Sequence, residues 1–183
     1  MPTIMSHAAV PIAGALMLGR GRISVPVLVT GIAFAMLPDA DVIGFRFGVD
    51  YADSWGHRGA THSFVFAAAA ALLAIAVWRP RKYWIAAAYL FIAMASHGLL
   101  DMLTNGGLGA ALFWPFDHNR YFASITPIAV SPIGIDNFIS ERGFRVLVSE
   151  VIWIWTPLSV LTGAVLIVQG RKRNWRQQNG MAQ

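Results

Sequence analysis

Long apolar stretches separated by short polar breaks dominate this sequence. Five of them are predicted to be helices, and they lie near residues 7–19, 23–37, 62–78, 83–103 and 147–168. Gly and Pro mark the breaks, as at residues 19–22, at Pro38 and at residues 79–81. A helix satisfies its own backbone hydrogen bonds, which a segment in lipid requires. The pattern therefore predicts an all-α integral membrane bundle of about five helices.

The composition agrees with a membrane protein, since 56% of the residues are hydrophobic and the mean hydropathy is +0.56. The 183 residues are expected to form one transmembrane domain, residues 1–170, followed by a basic cytoplasmic tail, residues 171–183. Residues 104–146 are rich in Pro, Gly and aromatic side chains and are expected to form an ordered outer loop region. No basic residue precedes the first apolar stretch, so this stretch is expected to be a retained helix and not a signal peptide.

Charged residues divide between the two ends of the predicted helices. Nine basic residues share one side with no acid: Arg20, Arg22, Arg79, Arg81, Lys82, Arg171, Lys172, Arg173 and Arg176. The other side receives all nine acids and the remaining five arginines. The positive-inside rule then predicts a multi-pass protein of the inner (plasma) membrane, with the N-terminus outside and the C-terminus in the cytoplasm. This separation of charge also argues against nucleic acid as the partner, although the sequence pI is about 10.2.

Side chains that can ligate a metal gather on the side that carries the acids. The predicted ligands come from four separate segments: His7, Asp39, His57, His62, His97 and Asp101. His97 and Asp101 are four residues apart, so they share one helix face and can share a cation. Thr61 is predicted to cap the third helix and to fix His62 in its first turn. Counted from the basic turns, Asp39, His62 and His97 lie ~21–25 Å along their helices, at or just below the outer headgroups.

Imidazole and carboxylate ligands suit zinc, with manganese or iron(II) as alternatives, and the number of candidates allows one or two ions. The sequence has no Cys, which excludes thiolate metal sites and a cysteine nucleophile. A metal ion of this kind favours hydrolysis, because it activates water. Four further residues are predicted to be catalytic: Asp41 as general base, with Asp39 as the alternative, Arg58 and Arg120 as contacts to an anionic group, and Glu150 as a further base or ligand. The two arginines are equally compatible with pairing to lipid headgroups or to neighbouring acids.

The order of these motifs resembles the YdjM-like family of predicted inner-membrane, metal-dependent hydrolases. The resemblance rests on Ser6-His7, Leu37-Pro38-Asp39 with Asp41, the stretch His57-Arg58-Gly59-x-Thr61-His62-Ser63, Ser96-His97 with Asp101, and Pro115-Phe116 with Arg120. It covers most of the chain. That family is distantly similar to the zinc-dependent phospholipase C and single-strand nuclease group, which is all-helical and cleaves phosphodiesters. The resemblance implies a zinc-type phosphoesterase site at His97 and Asp101, joined by His7, Asp39 and His62, whereas the second His-x-x-x-Glu pair of the soluble enzymes has no counterpart.

These patterns lead to three hypotheses about function. The first is a membrane-bound metal-dependent hydrolase that cleaves a (phospho)ester of a lipid or other amphiphile at the outer face, where headgroup ester bonds lie. The second is a metal-ion transporter, which needs polar residues at mid-membrane depth, where only small ones such as Thr30 and Ser159 occur. The third is a non-enzymatic membrane module in which the same His and Asp residues hold helices together. No protein partner is predicted.

Overall fold

The computed structural model describes residues 1–131 and 139–180, which contain five helices and no strand. The first four helices are α1 (Ile4–Leu18), α2 (Val25–Met36), α3 (Phe64–Trp78) and α4 (Tyr83–Met102). The fifth, α5, begins as Glu141–Glu150, passes through a π-helical segment at Val151–Trp155 and continues as Thr156–Gly180. The predicted all-α fold class is confirmed. The last helix begins earlier and ends later than the predicted 147–168.

The α-helical part of this segment ends at Met36, close to the break that the sequence predicted at Pro38, but the chain does not become a loop there. A 3-10 helix, Leu37–Phe47, follows α2 directly and contains Asp39 in its first turn. Proline is tolerated here because it stands at the start of the 3-10 helix, where its missing N–H costs no hydrogen bond. Asp39 and Asp41 therefore project from a helical segment and not from a loop.

The two ends of the bundle differ in chemistry. At one end, which we call the donor end, α1 and α3 begin while α2 and α4 finish. The predicted metal ligands belong to these four helix ends or to the residues beside them. At the opposite, basic end lie the α1–α2 turn with Arg20 and Arg22 and the α3–α4 turn with Arg81 and Lys82.

Among the described residues, three helical segments are long and apolar enough to cross a membrane: Val25–Phe47, Tyr83–Met102 and Glu141–Trp175. Two shorter apolar helices, α1 and α3, have 15 residues each. At 1.5 Å per residue they extend ~22 Å, which is less than the ~30 Å of a hydrocarbon core. Side chains that precede α1 and α3 can therefore lie below the membrane surface while still flanking the long helices.

The apolar core lies where α1, α2, α3 and α4 meet, and Tyr89 of α4 occupies its centre. A Cβ at Gly31 of α2 would lie 2.5 Å from the Tyr89 ring, so only glycine permits this close approach. The Tyr89 hydroxyl donates to the backbone carbonyl of Pro11 in α1 at 2.9 Å. One side chain thus ties three helices together, between the donor end and the basic end.

The long helix α5 packs against α1 in the antiparallel direction. At the donor end, Glu150 accepts a hydrogen bond from the Ser6 hydroxyl at 2.7 Å. Toward the other end, the Gln169 side-chain amide donates to the Met17 carbonyl at 2.8 Å. The Arg171–Arg173 stretch follows directly, so it lies at the basic end together with the two basic turns.

Candidate metal centre

Four buried side chains meet at the donor end of the bundle. They are Asp39 from the 3-10 helix after α2, His62 from the residues just before α3, and His97 and Asp101 from the final turns of α4. Each offers one ligand atom, and the four atoms all lie within 4.8 Å of one another. We call these four residues the donor group. They come from three parts of the chain, so packing of the helix ends creates the site.

The spacing of the donor atoms fits a single metal ion. Asp39 Oδ1 lies 3.2 Å from His97 Nε2, and Asp101 Oδ2 lies 3.4 Å from His62 Nε2. The other two His–Asp pairs are 3.8 and 3.9 Å apart. Ligand atoms held ~2.0–2.1 Å from a tetrahedral ion stand ~3.3 Å apart. The group therefore has the composition and the spacing to hold a divalent ion.

Buried polar atoms of the donor group that lack hydrogen-bond partners also point to a cation. Six buried atoms of the group make no hydrogen bond within the described residues: both oxygens of Asp39, both oxygens of Asp101, and Nε2 of His62 and of His97. A buried polar atom without a partner costs about 1–3 kcal/mol. One of the six, Asp101 Oδ2, has an ion-pair partner in the Arg58 guanidinium at 3.1 Å, and the other five together would cost about as much as the ~5–15 kcal/mol that stabilises a typical fold. A bound metal ion would satisfy the nitrogens and at least one oxygen of each carboxylate.

Both imidazoles of the donor group are oriented by their other ring nitrogen. His97 Nδ1 lies 2.7 Å from the Ala35 carbonyl, which can only accept, so this nitrogen carries the proton. His62 Nδ1 lies 3.0 Å from the Thr61 hydroxyl and 3.3 Å from an Asp41 oxygen. In each ring the Nε2 lone pair is consequently free and faces the carboxylates of the donor group. This is the usual way in which neighbouring groups fix a metal-binding histidine.

Asp41 lies at the centre of a second set of residues, which we call the bracing group: Asp41, His57 and Thr61. One Asp41 oxygen lies 2.7 Å from His57 Nδ1. The other accepts from the Thr61 hydroxyl at 2.8 Å and from the Arg58 backbone N–H at 3.2 Å. Asp41, His57 and His62 also lie close enough to one another to share a metal ion, so His62 could serve a cation on either side of its ring. In the bracing group, however, the donor atoms are already bonded to one another.

Thr61 does not cap α3, contrary to the sequence prediction. Ser63 is the cap, since its hydroxyl accepts from the Phe66 backbone N–H at 3.1 Å. His62 accordingly lies in a short 3-10 helix, Ala60–His62, before α3 begins. The Thr61 hydroxyl is free to donate to Asp41 because the Ser63 hydroxyl satisfies the helix terminus.

His7 of α1 lies beside the donor group. Its ring stacks on that of His97 with the centroids 3.7 Å apart and the planes 11° from parallel. His7 Nε2 lies 3.9 Å from Asp101 Oδ1, and neither ring nitrogen makes a hydrogen bond within the described residues. The His7 side chain is also fully buried. It is thus a fifth candidate ligand, and a third imidazole, beside the same space.

Gly98 lets the His62 segment approach α4. A Cβ at this position would lie 2.6 Å from the His62 carbonyl oxygen and 2.7 Å from a Leu112 methyl carbon. Real Cβ atoms do not come so close to backbone atoms, so any side chain here would push the His62 segment away from α4. Gly98 therefore determines how closely His62 and His97 can approach each other.

Comparison with known proteins places the chain in a family. A family model described as YdjM inner membrane protein matches residues 1–175. The chain belongs to the YdjM inner membrane protein family. It is similar to an inner membrane protein of Escherichia coli (strain K12), YbcI, with 41% identity over 169 residues, which cover 89% of this chain and 96% of that protein. No solved structure matches the chain.

The YdjM resemblance predicted from the motifs is thereby confirmed, and so is membership of an inner membrane protein family. Its most specific stretch, His57 to Ser63, supplies residues to both groups. His62 is a member of the donor group, whereas His57 and Thr61 belong to the bracing group. The metal-dependent hydrolase activity implied by the resemblance stays a prediction.

In this YdjM-family chain, Arg58 contacts the donor group directly. Its backbone is in the left-handed region at φ 65°, which is uncommon for a residue with a side chain. Arg58 Nε lies 3.1 Å from Asp101 Oδ2. The two terminal nitrogens donate to the Gly106 carbonyl at 2.8 Å and to the Thr104 hydroxyl at 3.0 Å. This guanidinium therefore positions Asp101 and joins it to the loop after α4.

Arg120 and Glu150, both predicted to be catalytic, lie apart from the donor group. The Arg120 guanidinium donates to the backbone carbonyls of His57, Tyr51 and Asp53, so it organises the loop before α3. Glu150 is bound by residues at the start of the chain: its carboxylate accepts from the Thr3 backbone N–H, the Thr3 hydroxyl and the Ser6 hydroxyl.

The carboxylates make this end of the YdjM-family bundle attractive to positive charge. Burial by itself would lower the pKa of His62, but the negative carboxylates of Asp101, Asp39 and Asp41, which lie 3.3 to 3.8 Å from its ring nitrogens, outweigh that effect and raise the pKa to about 10. His62 precedes α3 and lies outside the apolar helices. The surroundings thus favour a cation at this position, whether it is a proton or a metal ion.

Several residues that shape the centre were not predicted from the sequence. The Ala35 carbonyl orients His97, and Thr104 accepts from Arg58 while its hydroxyl donates to the Asp101 carbonyl at 2.8 Å. A backbone carbonyl carries no signal in the sequence. Thr104 follows α4 by two positions, where a hydroxyl that bonds back to the helix end is common, and this was the one available hint.

Proposed function

We propose that this protein is a membrane-bound, metal-dependent hydrolase with zinc in the donor group, manganese and iron(II) being the alternatives. The proposal rests above all on four buried donors whose unbonded atoms stand 3.2 to 3.9 Å apart. When bound, such an ion supplies Lewis acidity, which activates water and polarises an ester or phosphoryl oxygen. Asp39, His62, His97 and Asp101 are the proposed ligands.

The neighbouring residues have separate roles in this proposal. His7, with both ring nitrogens unbonded, is a fifth ligand or holds a proton beside Asp101. Asp41 orients His62, and Arg58 orients Asp101. One ion is favoured over two, because Asp41 and His57 already bond to each other at 2.7 Å. Asp41 then acts as a positioning residue, and not as the general base that its sequence position suggested.

The proposed substrate is a (phospho)ester of a lipid or other amphiphile at the outer face of the membrane. The positive-inside rule supports a multi-pass arrangement with the basic end in the cytoplasm and the donor end outside. An apolar groove of about 420 Å³ between α1 and α5 supports an amphiphile, because it suits an acyl chain. Trp155, which lines this groove, donates to the hydroxyl of Ser6, the neighbour of His7.

Elemental analysis of the protein purified in detergent tests the metal site. Wild-type protein should contain about one equivalent of zinc, manganese or iron, whereas His97→Ala should contain almost none. The matched control is His118→Ala, because His118 is an exposed imidazole at the same end whose ring bonds to Ser54. Equal metal content in all three proteins would refute the proposed ligands.

A turnover assay tests the hydrolase proposal separately. The metal-loaded protein is incubated with mixed phospholipid vesicles, and released phosphate esters and fatty acids are measured by phosphorus NMR and mass spectrometry. The proposal expects product that disappears on chelation and in Asp39→Asn. Stoichiometric metal without product from any lipid would contradict hydrolysis while leaving the metal site intact.

The second candidate function is a non-enzymatic membrane module in which the metal holds four helix ends together. The burial of all four donors favours it, since substrate has little exposed surface to reach. This module predicts that chelation lowers the melting temperature without the loss of any activity. A metal-ion transporter is less well supported, because Tyr89 and Thr30, which lie between the donor group and the basic end, donate to backbone carbonyls.

A further inference from the structure

The basic end of the bundle contains a pocket of about 500 Å³ between the two helical turns. Four cationic side chains line it, two from each turn: Arg20, Arg22, Arg81 and Lys82. We call it the basic pocket. Every Asp and Glu among the described residues belongs to the donor end, so no carboxylate of this part of the chain neutralises the pocket.

Two helix N-termini also face the basic pocket. Residues at the start of α2, Ser24 and Val27, line it, as do Lys82 and Ala86 at the start of α4. Neither helix has a side-chain cap or an acidic residue in its first turn. The first N–H groups of a helix lack partners within the helix and carry partial positive charge. The pocket therefore combines four full charges with two helix termini of the kind that binds phosphate groups.

Two of the four cations of the basic pocket are free to bind a ligand. The Lys82 ammonium donates to the Gly21 carbonyl and so holds the two turns together. Arg22 donates to the Leu18 carbonyl through one nitrogen, at 3.3 Å. Arg20 and Arg81 make no hydrogen bond or ion pair within the described part of the chain. Two guanidinium groups are thus free for bidentate contacts, which oxyanions favour.

Exposed aromatic side chains indicate the depth of the basic pocket. Trp78, Tyr83 and Trp84 flank the α3–α4 turn and are 52%, 47% and 72% exposed. Trp and Tyr are enriched where the hydrocarbon meets the headgroups of a membrane. The pocket consequently lies at the level of the lipid phosphates. This is the position at which an anionic lipid headgroup, held by its own acyl chains, would meet the pocket.

We propose that the basic pocket is a binding site for the phosphate group of an anionic phospholipid. The positive-inside rule alone accounts for basic residues at this end, but it does not account for their convergence on one pocket with two uncapped helix termini. Arg171, Lys172 and Arg173 lie at the same end without lining the pocket, so they provide an internal comparison. The site is at the opposite end from the donor group and does not depend on hydrolysis.

The first test uses wild-type protein in a mild, uncharged detergent and follows lipid binding by native mass spectrometry. Phosphatidylglycerol and phosphatidylcholine, with matched acyl chains, are titrated in separate arms. We expect one phosphatidylglycerol to bind with clear preference over phosphatidylcholine, which has a phosphate but no net negative charge. Equal affinity for the two lipids would overturn the proposal.

The second test locates the bound lipid with two variants of equal charge loss. Arg20→Gln/Arg22→Gln/Arg81→Gln removes three charges from the pocket, and Arg171→Gln/Lys172→Gln/Arg173→Gln removes three from the end of α5. The pocket variant should bind phosphatidylglycerol on the order of 100-fold more weakly, since each basic residue contributes several-fold, and the α5 variant should bind it nearly as well as wild type. Equal weakening in both would mean general attraction to a basic surface, and would refute a built site.

A third arm separates a lipid site from a site for soluble anions. Inorganic phosphate is added in excess to the complex with phosphatidylglycerol, and lipid retention is measured. Retention supports the lipid site, because the acyl chains add affinity that free phosphate lacks. Full displacement by millimolar phosphate would overturn it in favour of a soluble phosphate ligand. The pocket variant is first compared with wild type by melting temperature, so that unfolding is not mistaken for lost binding.

Discussion

Asp39 and Asp41 are two residues apart on one 3-10 helix, yet their surroundings are opposite. Neither oxygen of Asp39 accepts a hydrogen bond within the described residues, although the side chain is buried. Asp41 accepts from Thr61 and from the Arg58 backbone, and it also bonds to His57. Atoms of the donor group around Asp39 therefore lack hydrogen-bond partners, whereas the atoms of the bracing group around Asp41 bond to one another.

The contrast separates the proposed metal ligands from the residues that keep those ligands in position. His62 shows both properties at once, since its Nδ1 faces Asp41 and Thr61 while its Nε2 faces Asp39 and Asp101. A metal centre needs this division, because ligands that are not held by neighbours lose the geometry that gives affinity. If the two groups have these different roles, substitutions in the donor group should weaken metal binding more than substitutions in the bracing group.

The largest effect is expected for Asp39→Asn. The amide keeps the size of the side chain but removes the charge and half of the acceptor capacity. Metal affinity should therefore fall by more than the ~10–100-fold that is typical when a residue that only orients a ligand is changed. Competition with a chromogenic chelator measures this metal affinity. Asp53→Asn, in an exposed loop at the same end, is the control and should bind metal like wild type. Unchanged affinity in Asp39→Asn would remove Asp39 from the site.

A smaller loss is expected for Asp41→Asn, about 10–100-fold, because the variant leaves every proposed ligand in place but loosens His62. The same chelator competition compares it with Asp39→Asn. If the two variants lose equal affinity, or if wild-type protein binds two equivalents and Asp41→Asn binds one, Asp41 is itself a ligand. The distinction between the two groups would then fail, and a second ion between Asp41, His57 and His62 would replace it.

Much of this centre could be predicted from the sequence, because helix ends and spacing determine it. Alternation of the helices brings His7, Asp39, His62 and the end of α4 to one side, and a four-residue spacing puts His97 and Asp101 on one face. The separation of basic turns from acidic ends is likewise visible in the order of the residues. These features depend on periodicity and topology, which a single sequence contains.

The roles within the centre could not be predicted in the same way. Asp39 was predicted among the ligands, but which carboxylate faces the Nε2 atoms of His62 and His97 depends on the 3-10 geometry after Pro38, which composition does not reveal. Arg58 reaches Asp101 because its backbone adopts a left-handed conformation, and this follows from the packing of the surrounding loop. Glu150 meets Thr3 and Ser6 only because α5 packs along α1. Contacts between distant segments decided these assignments.

Gly98→Ala is expected to have an intermediate effect on metal affinity, about tenfold, comparable with the milder losses seen for residues that orient ligands. The added methyl group would meet the His62 carbonyl at 2.6 Å, so the His62 segment must move away from α4. The control is Gly163→Ala in α5, where a Cβ meets nothing within 4 Å. If Gly98→Ala binds metal like wild type, the approach of His62 to His97 does not limit affinity.

The smallest effect on metal binding is expected for Glu150→Gln. The oxygens of this buried carboxylate accept hydrogen bonds, as those of Asp41 do, but unlike Asp41 it has no contact with the donor group. Metal affinity should be unchanged, while stability should fall by about 2 kcal/mol, since hydrogen bonds to a charged group contribute ~1.5–3 kcal/mol. For a chain of this size that corresponds to a melting temperature about 4–8 °C lower.

Glu141→Gln, an exposed acid at the start of the same helix, is the control for Glu150→Gln and should melt close to wild type. Two other outcomes for Glu150→Gln would show that a carboxylate with satisfied hydrogen bonds can still affect metal binding or catalysis. If Glu150→Gln loses metal, Glu150 acts on the centre through Ser6 and the adjacent His7, and α1 transmits that effect. If it loses hydrolysis but keeps both metal and stability, Glu150 is a catalytic residue after all, and satisfied hydrogen bonds do not distinguish supporting residues from reactive ones in this protein.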